Sequence, residues 1–501
     1  MILVKQPIIP VFEGKVKKPD SHQITAESAE LLADLQLEKI RFAHWKGNTH
    51  LQASLAGKTD MDILVHPNDR QKYELILQKR SYIKLNTQPW NVYPALEDWL
   101  GFDYATGALL HVHTHYTLAN GITYGKYLHL PWMEQFFNHL KTDKQTGWPI
   151  PVPELETIIL LIRIEANRLH KKNSIPGGKQ QELRTLLSQV QAPKFRELCR
   201  ELELNVPESF DNDTNRILKE GYVPAILRLT SFFYNQVTDS VKNKWRLAAL
   251  KTFYYKHFLK KARYISQFTG PLQLKKTIAG GGTVIALVGS DGSGKSTLCN
   301  ELVKWLTFKI DTHYFYFGKR PHIKSYDHSL FSTTGFLFNN TFISRHFRKM
   351  AGRFYYVLLM NKKTNMLRLA KKLGKKCSLV ICDRFPQKDV MGFFDGPKLQ
   401  SGKSDWLKRF EIARFNKFCR AGADIVFRLN VSPEIAARRK TDHDQKMIQQ
   451  KCTHLAHLTF GKAAVIDIDA EKPIDLVLLD IKRKIWENIK NAQIQHEVKS
   501  Y

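Results

Sequence analysis

One run constrains this chain more than any other: TVIALVGSDGSGKSTL, Thr283–Leu298. Thr283 to Val288 is short, apolar and β-branched, as expected of a buried parallel strand. Gly289, Gly294, Lys295 and Ser296 then match G-x-x-x-x-G-K-[ST]. In such a loop the glycines, Gly292 included, let backbone N–H groups curl around a phosphate. Ser290, Ser293 and Thr297 line the same turn, and Lys295 brings positive charge to the outer phosphates. The Ser296 hydroxyl can ligate Mg²⁺, and Thr297–Leu306 is expected to open a helix whose N-terminus favours anions. The alternative is a Gly/Ser loop with no ligand, and the strand before and the helix after speak against it.

At 501 residues the chain is too long for one core, and two to four domains are expected. Its 43% hydrophobic and 25% charged residues exclude wholesale disorder and a collagen-like fibre. Three blocks follow from the pattern. Residues 1–150 mix strand-like runs with turns and end at Pro149, Pro151 and Pro153. Residues 151–280 read mainly helical, as in PELETIILLIRIEANRLHKK, and close on AGGGT. Residues 281–501 alternate strands with amphipathic helices, which predicts α/β architecture with a parallel sheet. The six cysteines form no CxxC pair, so neither a disulfide framework nor a zinc cluster is expected. No signal-like run opens the chain and no apolar stretch approaches a bilayer's span, so the expectation is a cytoplasmic protein. Lys and Arg number 77 against 47 Asp and Glu, formally +30, so the surface should attract polyanions.

The third block resembles the thymidylate kinase family of P-loop kinases. GSDGSGKST, KKCSLVICDRF (Lys375–Phe385), ADIVFRLNVSPEIAARRK (Ala423–Lys440) and AAVIDIDAEKPIDLVLLDIKRKI fall in that family's order over about 220 residues. The resemblance implies a P-loop sheet flanked by helices, ATP as phosphoryl donor, and Mg²⁺. It implies that Asp291, an acid inside the phosphate cradle, contacts the acceptor's sugar; a turn-stabilising Asp is the alternative. Asp383 ends SLVIC at the carboxyl edge of a parallel strand, where such sheets bind ligands. There it can hold Mg²⁺ through water or orient the attacking oxygen, and Arg384 beside it can clamp a phosphate. Arg438, Arg439 and Lys440 stand where the family keeps a mobile lid, and an arginine closing on the phosphates suits phosphoryl transfer. A solvated basic helix face is the alternative. The family's acceptor-binding Arg-Glu-Pro-Gly turn has no clear match, YFGKRPH (Tyr316–His322) standing in its place. PQKDVMGFFDGP replaces the segment after Asp-Arg-Phe. The acceptor is therefore dTMP or another phosphate- or hydroxyl-bearing molecule, such as a sugar or glycan.

AHWKGNTHLQASLAGKTDMDILV (Ala43–Val65) is the second signal. Asp60 and Asp62 are two apart on a strand and so share a face. Such a pair can hold divalent metal against a triphosphate. The run resembles the nucleotidyltransferase superfamily, which implies an α+β domain, with Gly47 and Asn48 at the triphosphate and Asn48 in place of the usual Ser. On LLHVHTHY, where the third carboxylate is expected, His111, His113 and His115 share one face instead. They can bind a transition metal or an acidic substrate, or be structural. Asp103 across the turn is the candidate displaced acid.

Residues 241–280 contain ten Lys/Arg and no acid, interleaved with Trp245, Phe253, Tyr254, Tyr255, Phe258 and Tyr264. Residues 341–380 contain eleven and none. Such stretches suit an anionic membrane surface, nucleic acid or acidic glycan, or are solvated helix faces. The function expected is an ATP- and Mg²⁺-dependent kinase of thymidylate-kinase type, Lys295, Asp383, Arg438 and Arg439 carrying its chemistry, fused to a nucleotidyltransferase-like domain through a helical block. The alternatives are a metal-dependent nucleotidyltransferase with a regulatory P-loop, or a nucleotide-gated binder of membranes or polyanions.

Overall fold

The computed structural model describes residues 24–122, 125–168, 175–237, 242–269, 273–318, 321–325, 345–399, 406–439 and 444–499. The chain opens with α1 (Ala26–Leu37), β1 (Phe42–His44), α2 (Leu51–Leu55), β2 (Met61–Val65), α3 (Arg70–Lys79), β3 (Ile83–Asn86), β4 (Leu96–Phe102) and β5 (Leu109–His115). The hairpin β6 (Ala119–Ile122)–β7 (Gly125–His129), α4 (Met133–Asn138) and the hairpin β8 (Leu140–Thr142)–β9 (Pro149–Pro151) follow. Helices come next: α5 (Pro153–Arg168), α6 (Gly177–Leu187), α7 (Ala192–Glu201), α8 (Phe210–Glu220), α9 (Val223–Gln236) and α10 (Lys242–Thr269). The remainder is β10 (Thr277–Ile278), β11 (Val284–Gly289), α11 (Lys295–Leu306), β12 (Thr312–Tyr316), β13 (His322–Ser325), α12 (Arg345–Lys375) and β14 (Leu379–Asp383), then α13 (Trp406–Ala421), β15 (Ile425–Asn430), α14 (Pro433–Arg439), α15 (Gln445–Leu455), β16 (Ala464–Asp469) and α16 (Ile474–Lys499).

Two six-stranded sheets organise the molecule. The second has the order β13-β12-β14-β11-β15-β16 and is parallel except for the β12–β13 pair. Strand β11 lies at its centre and is buried at every residue. Alternation along it splits the core in two. Ile285 and Leu287 join the cluster with Leu298, Leu302 and Leu306 of α11 and Ile481 and Ile485 of α16. Val284, Ala286 and Val288 join the opposite cluster, with Met366, Leu367 and Ala370 of α12 and Phe415 and Phe418 of α13. The result is a mixed α/β unit with helices on both faces of a largely parallel sheet.

The first sheet has the order β1-β2-β5-β4-β3-β10. On β5, Leu110 and Val112 pack into the cluster formed with α1 and α3. His111, His113 and His115 therefore project from the other face, as the period of two requires. Helix α5 is buried on nearly all sides, because α6, α7, α9 and β6 surround it.

The structure departs from the sequence pattern between blocks two and three. Residues 277–278 were expected in the helical block, yet they form β10 on the first sheet, antiparallel to β3. Strand β3 would otherwise present an open edge of backbone donors and acceptors, and β10 caps it. The same cluster that holds α11 also takes in Ile83, Leu85, Leu100, Phe102 and Leu109 of the first sheet. Phe102 sits 5.4 Å from Trp486 and 6.0 Å from Trp305, ring centroid to centroid. The first sheet and the phosphate-loop sheet thus share one core. Phe102→Ala should remove that joint and cost about 3–5 kcal/mol. A denaturant titration followed by tryptophan fluorescence checks it, and an unchanged midpoint would contradict the shared core.

Candidate functional site

The phosphate loop joins β11 to α11. Helix α11 begins at Lys295, two residues earlier than the sequence pattern suggested, because Gly294 takes a left-handed φ of 82° and reverses the chain there. Gly292 is needed for a second reason: a Cβ at this position would lie 2.6 Å from the carbonyl oxygen of Ala436 on α14. Lys295 is buried and donates to the carbonyl of Ser290 at 2.5 Å and toward the Ser293 hydroxyl at 3.4 Å. Burial, reinforced by Arg384, pulls its pKa down to about 8. The Ser290 hydroxyl is buried without a partner. Ser296 and Thr297 are exposed in the first turn of α11.

Asp383 ends β14 beside the loop and is fully buried. One oxygen accepts from the Tyr314 hydroxyl at 2.9 Å, while Oδ1 has no partner. A buried, unsatisfied carboxylate oxygen suits a cation or its water, and Ser296 offers the second oxygen, so these residues fit Mg²⁺. Arg384 holds a left-handed φ of 69° in a non-glycine residue, a strained conformation of the kind found at functional sites. Its guanidinium lies 3.9 Å from both Asp291 and Asp395, with Nε buried and unpaired. Burial opposes its charge, but Asp395 and its other neighbours outweigh that and raise its pKa.

Asp291 accepts from Lys451 of α15. Burial pushes its pKa up, and Lys451 more than reverses this. Lys363 of α12 is buried and reaches Asp395 at 3.1 Å. Tyr314, Lys363, Asp395 and Lys451 were missed in the sequence reading. Asp395 lies in the very segment, PQKDVMGFFDGP, that departs from the family pattern, and that departure was the available signal.

The lid residues divide. Arg439 donates to the carbonyls of Ala470 at 2.8 Å and Glu471 at 3.2 Å, so in this state it is tied to the end of β16. Arg438 is exposed. Lys440 lies outside the described residues, as do Lys319 and Arg320 of YFGKRPH.

The amino-terminal cluster differs from expectation. Asp60 and Asp62 do face one side, and both meet the histidine face of β5. Asp60 receives His111 at 2.9 Å and Lys309 from the turn after α11. Asp62 receives Lys46 at 2.9 Å and His115 at 3.5 Å. The third carboxylate is Asp98 on β4, not Asp103. Asp98 receives Lys276 at 2.6 Å, His113 at 2.8 Å and His111 at 3.1 Å. Asp103 instead closes the turn before β5, accepting from the Thr106 backbone and hydroxyl and from the Glu27 N–H. Burial alone would raise all three carboxylates, but these cations and imidazoles hold them below the usual carboxylate range.

Each carboxylate carries a lysine ammonium where a divalent cation would sit, so this set does not fit Mg²⁺. Asp62, His113 and His115 are the one trio of metal-ligand type brought together among the described residues, and Lys46 already lies on two of them, Asp62 and His115. Gly47 takes a left-handed φ of 72°, and the Asn48 backbone N–H donates to Glu156 of α5 at 3.1 Å. Lys46, Lys276 and Lys309 had no signal of their own in sequence; Lys276 arrives from 178 residues away and Lys309 from farther still.

On α10, Leu247, Leu250, Phe253, Tyr254 and Phe258 are exposed, while Tyr255 lies against Trp90. The side chains of Trp245 and Tyr264 lie outside the described residues. On α12, Arg368, Lys371, Lys372, Lys375 and Lys376 line a groove of about 520 Å³ with Lys417. No described helix is long and apolar enough to cross a membrane, and all six cysteines are free.

A central parallel strand running into a glycine-rich loop and a helix headed by Lys295 defines a P-loop protein. Comparison with known proteins agrees. Over 215 residues the chain is 30% identical to the "uncharacterized ATP-binding protein YghS" of Escherichia coli K12, covering 39% of this chain and 89% of that protein. It is 27% identical over 218 residues to YghR of the same strain, described in the same words, covering 40% of this chain and 86% of YghR. The chain belongs to the family of these ATP-binding proteins. No family model matches it. Among solved structures, deoxyadenosine kinase from M. mycoides with bound dATP aligns with 40% of this chain and 98% of its own, at 17% identity and a TM-score of 0.24.

The Lys295 pKa carries a testable consequence. Its folded value lies below the ordinary 10.5, so the buried charge opposes folding fully below pH 8. The penalty fades as pH rises from about 8 to 10.5. Lys295→Met should therefore raise the melting temperature of the ligand-free protein at pH 7, and the gain should vanish by about pH 10.5. A pH series of thermal melts checks this, and a pH-independent difference would contradict it.

Proposed function

We propose that this chain is an ATP-dependent phosphotransferase working at the phosphate loop. One observation carries the reading: Lys295, the unsatisfied oxygen of Asp383 and the strained Arg384 meet at one edge of the parallel sheet. A bare phosphate cradle needs only the loop and its lysine. An acid and an arginine beside it supply what a second substrate requires. The description of both Escherichia coli relatives as ATP-binding supports ATP as donor.

The backbone N–H groups of residues 289–297 and Lys295 hold the donor's phosphates. Lys295 must swing from the Ser290 carbonyl, and that carbonyl holds it nearby in the free protein. Mg²⁺, held by Ser296 and Asp383, would screen the charge of the phosphates. Asp383 also orients the acceptor oxygen, with Tyr314 fixing its carboxylate. Arg384 faces the transferred group, and Asp395 and Asp291 fix its direction. Arg439 can join only by leaving Ala470 and Glu471, which gives the lid an open state. Because Lys363 and Lys451 are each already neutralised by a carboxylate, the acceptor side favours a hydroxyl-rich molecule such as a sugar over dTMP.

Lys295→Ala should lower ATP turnover about a hundredfold or more. Arg384→Ala and Asp291→Ala should lose acceptor turnover by a similar factor, with ATP affinity changed by less than about threefold. Product formation with radiolabelled ATP over a panel of sugars and nucleosides measures this. Unchanged turnover in the Lys295 variant, or equal loss of ATP binding in all three, would refute the assignment.

The exposed stripe of α10 favours an anionic membrane surface over nucleic acid or acidic glycan, because apolar side chains there alternate with lysines and no acid. Leu250→Glu with Tyr254→Glu should abolish sedimentation with phosphatidylglycerol vesicles; sedimentation equal to wild type would refute it.

A further inference from the structure

The segment that follows Arg384 delivers Asp395 to the edge of the sheet where the phosphate loop lies. Gln387 is fully buried and organises that segment. Its Nε2 donates to the carbonyls of Val390 at 2.7 Å and Phe393 at 2.9 Å, and its Oε1 accepts from the Val390 N–H at 2.8 Å. The Gly396 N–H donates to the Phe393 carbonyl at 2.8 Å and closes a turn. Inside that turn Phe394 and Asp395 both hold left-handed backbone, at φ 48° and 55°. Two consecutive non-glycine residues in that region are strained, and such strain gathers at functional sites.

The two oxygens of Asp395 stand in different surroundings, in a side chain only 11% exposed. Oδ1 accepts from the buried Lys363 Nζ at 3.1 Å, which balances its charge. Oδ2 is buried with no hydrogen-bond partner, and Arg384 Nη1 lies 3.9 Å from it. That distance is too long for a hydrogen bond, but it is a span that one oxygen bridges at about 2.8 Å to each side. The bridging atom must accept from a guanidinium, which only donates, and donate to a carboxylate, which only accepts. A hydroxyl does both. A phosphate dianion accepts but has no proton to donate, and its charge would meet that of Asp395.

We propose that Asp395 selects the acceptor, by accepting a hydrogen bond from an acceptor hydroxyl to which Arg384 Nη1 also donates. This hydroxyl is not the one phosphorylated, whose oxygen falls to Asp383. The acceptor class is therefore an uncharged polyol, a sugar or a nucleoside's ribose, with a phosphate excluded from that position. Arg384 Nε, buried and unpaired, remains for the transferred group. The role given to Asp395 rests on the phosphotransferase reading above and adds to it a specificity-determining residue.

The test uses the full chain with radiolabelled ATP, Mg²⁺ and acceptors that differ by one hydroxyl: glucose with its 2-, 3- and 4-deoxy forms, adenosine with its 2′- and 3′-deoxy forms, and dTMP alongside. In the wild type, loss of the recognised hydroxyl should raise the acceptor KM about tenfold or more, with kcat changed by less than about threefold. Asp395→Asn keeps a residue that tolerates left-handed backbone, but puts an amide donor where Oδ2 was. In that variant the same deletion should change KM by less than about twofold, because the hydroxyl's partner is already gone, and the KM for ATP should hold. Lys363→Met combined with Asp395→Asn removes the lysine that the single change leaves unbalanced and should show the same insensitivity. A purely structural Asp395 would leave the cost of the deletion unchanged. Preference for dTMP, equal use of every pair by the wild type, or a deletion that costs the variants as much as the wild type would overturn the role of Asp395 and leave the phosphotransferase reading standing. No labelled product from any acceptor would overturn that reading and this role with it.

Discussion

Helix α11 buries one face in a core shared by both sheets, and much of the molecule depends on that. One flank seats on its own parallel sheet through Leu298, Leu302 and Leu306, in the cluster that also holds Leu100, Phe102 and Leu109 of the first sheet. Its amino end carries Lys295 and the phosphate loop. The turn that follows it carries Lys309 to Asp60. The helix and that turn therefore link the nucleotide-phosphate site to the amino-terminal carboxylates. Moving either end means disturbing an apolar core, which resists partial displacement because its side chains interlock.

The two regions rich in lysine handle their charge in opposite ways. In the phosphate loop a lysine waits on a backbone carbonyl, free to exchange that contact for a phosphate. In the amino-terminal cluster, Lys46, Lys276 and Lys309 are locked onto carboxylates. Removing Lys276 would strand the buried charge of Asp98 at a cost of about 3–5 kcal/mol, so that lysine is fixed in place rather than poised. The contrast separates a loop whose lysine can exchange its contact from a cluster whose lysines are already paired.

Much of the second sheet was legible because its signals are local. Alternation of apolar strands with helices, and the spacing of Gly289, Gly294 and Lys295, are short-range patterns that fold almost in place. Asp383 was legible for the same reason: a carboxylate ending SLVIC must stand at a strand's carboxyl edge. The partners of these residues were not legible. Lys451 lies 160 positions from Asp291, and Lys363 sits on a helix with no motif. Asp103 misled because an acid near a turn satisfies two readings, and only the Thr106 contacts choose between them.

By itself the sequence determined where a phosphate would be held, that β5 presents three histidines to one side, and that Asp60 and Asp62 share a face. These follow from chain geometry, a period of two or a helix start, which no distant residue can alter. Tertiary structure alone decided what occupies those faces. A lysine at 276 or 309 carries no mark of its destination; it reaches Asp98 or Asp60 only because β10 closes the edge of the first sheet and α11 packs against it. Whether a carboxylate meets a metal ion or an ammonium depends on which cation the packed core brings within 3 Å, and that is a property of long-range contacts rather than of any motif.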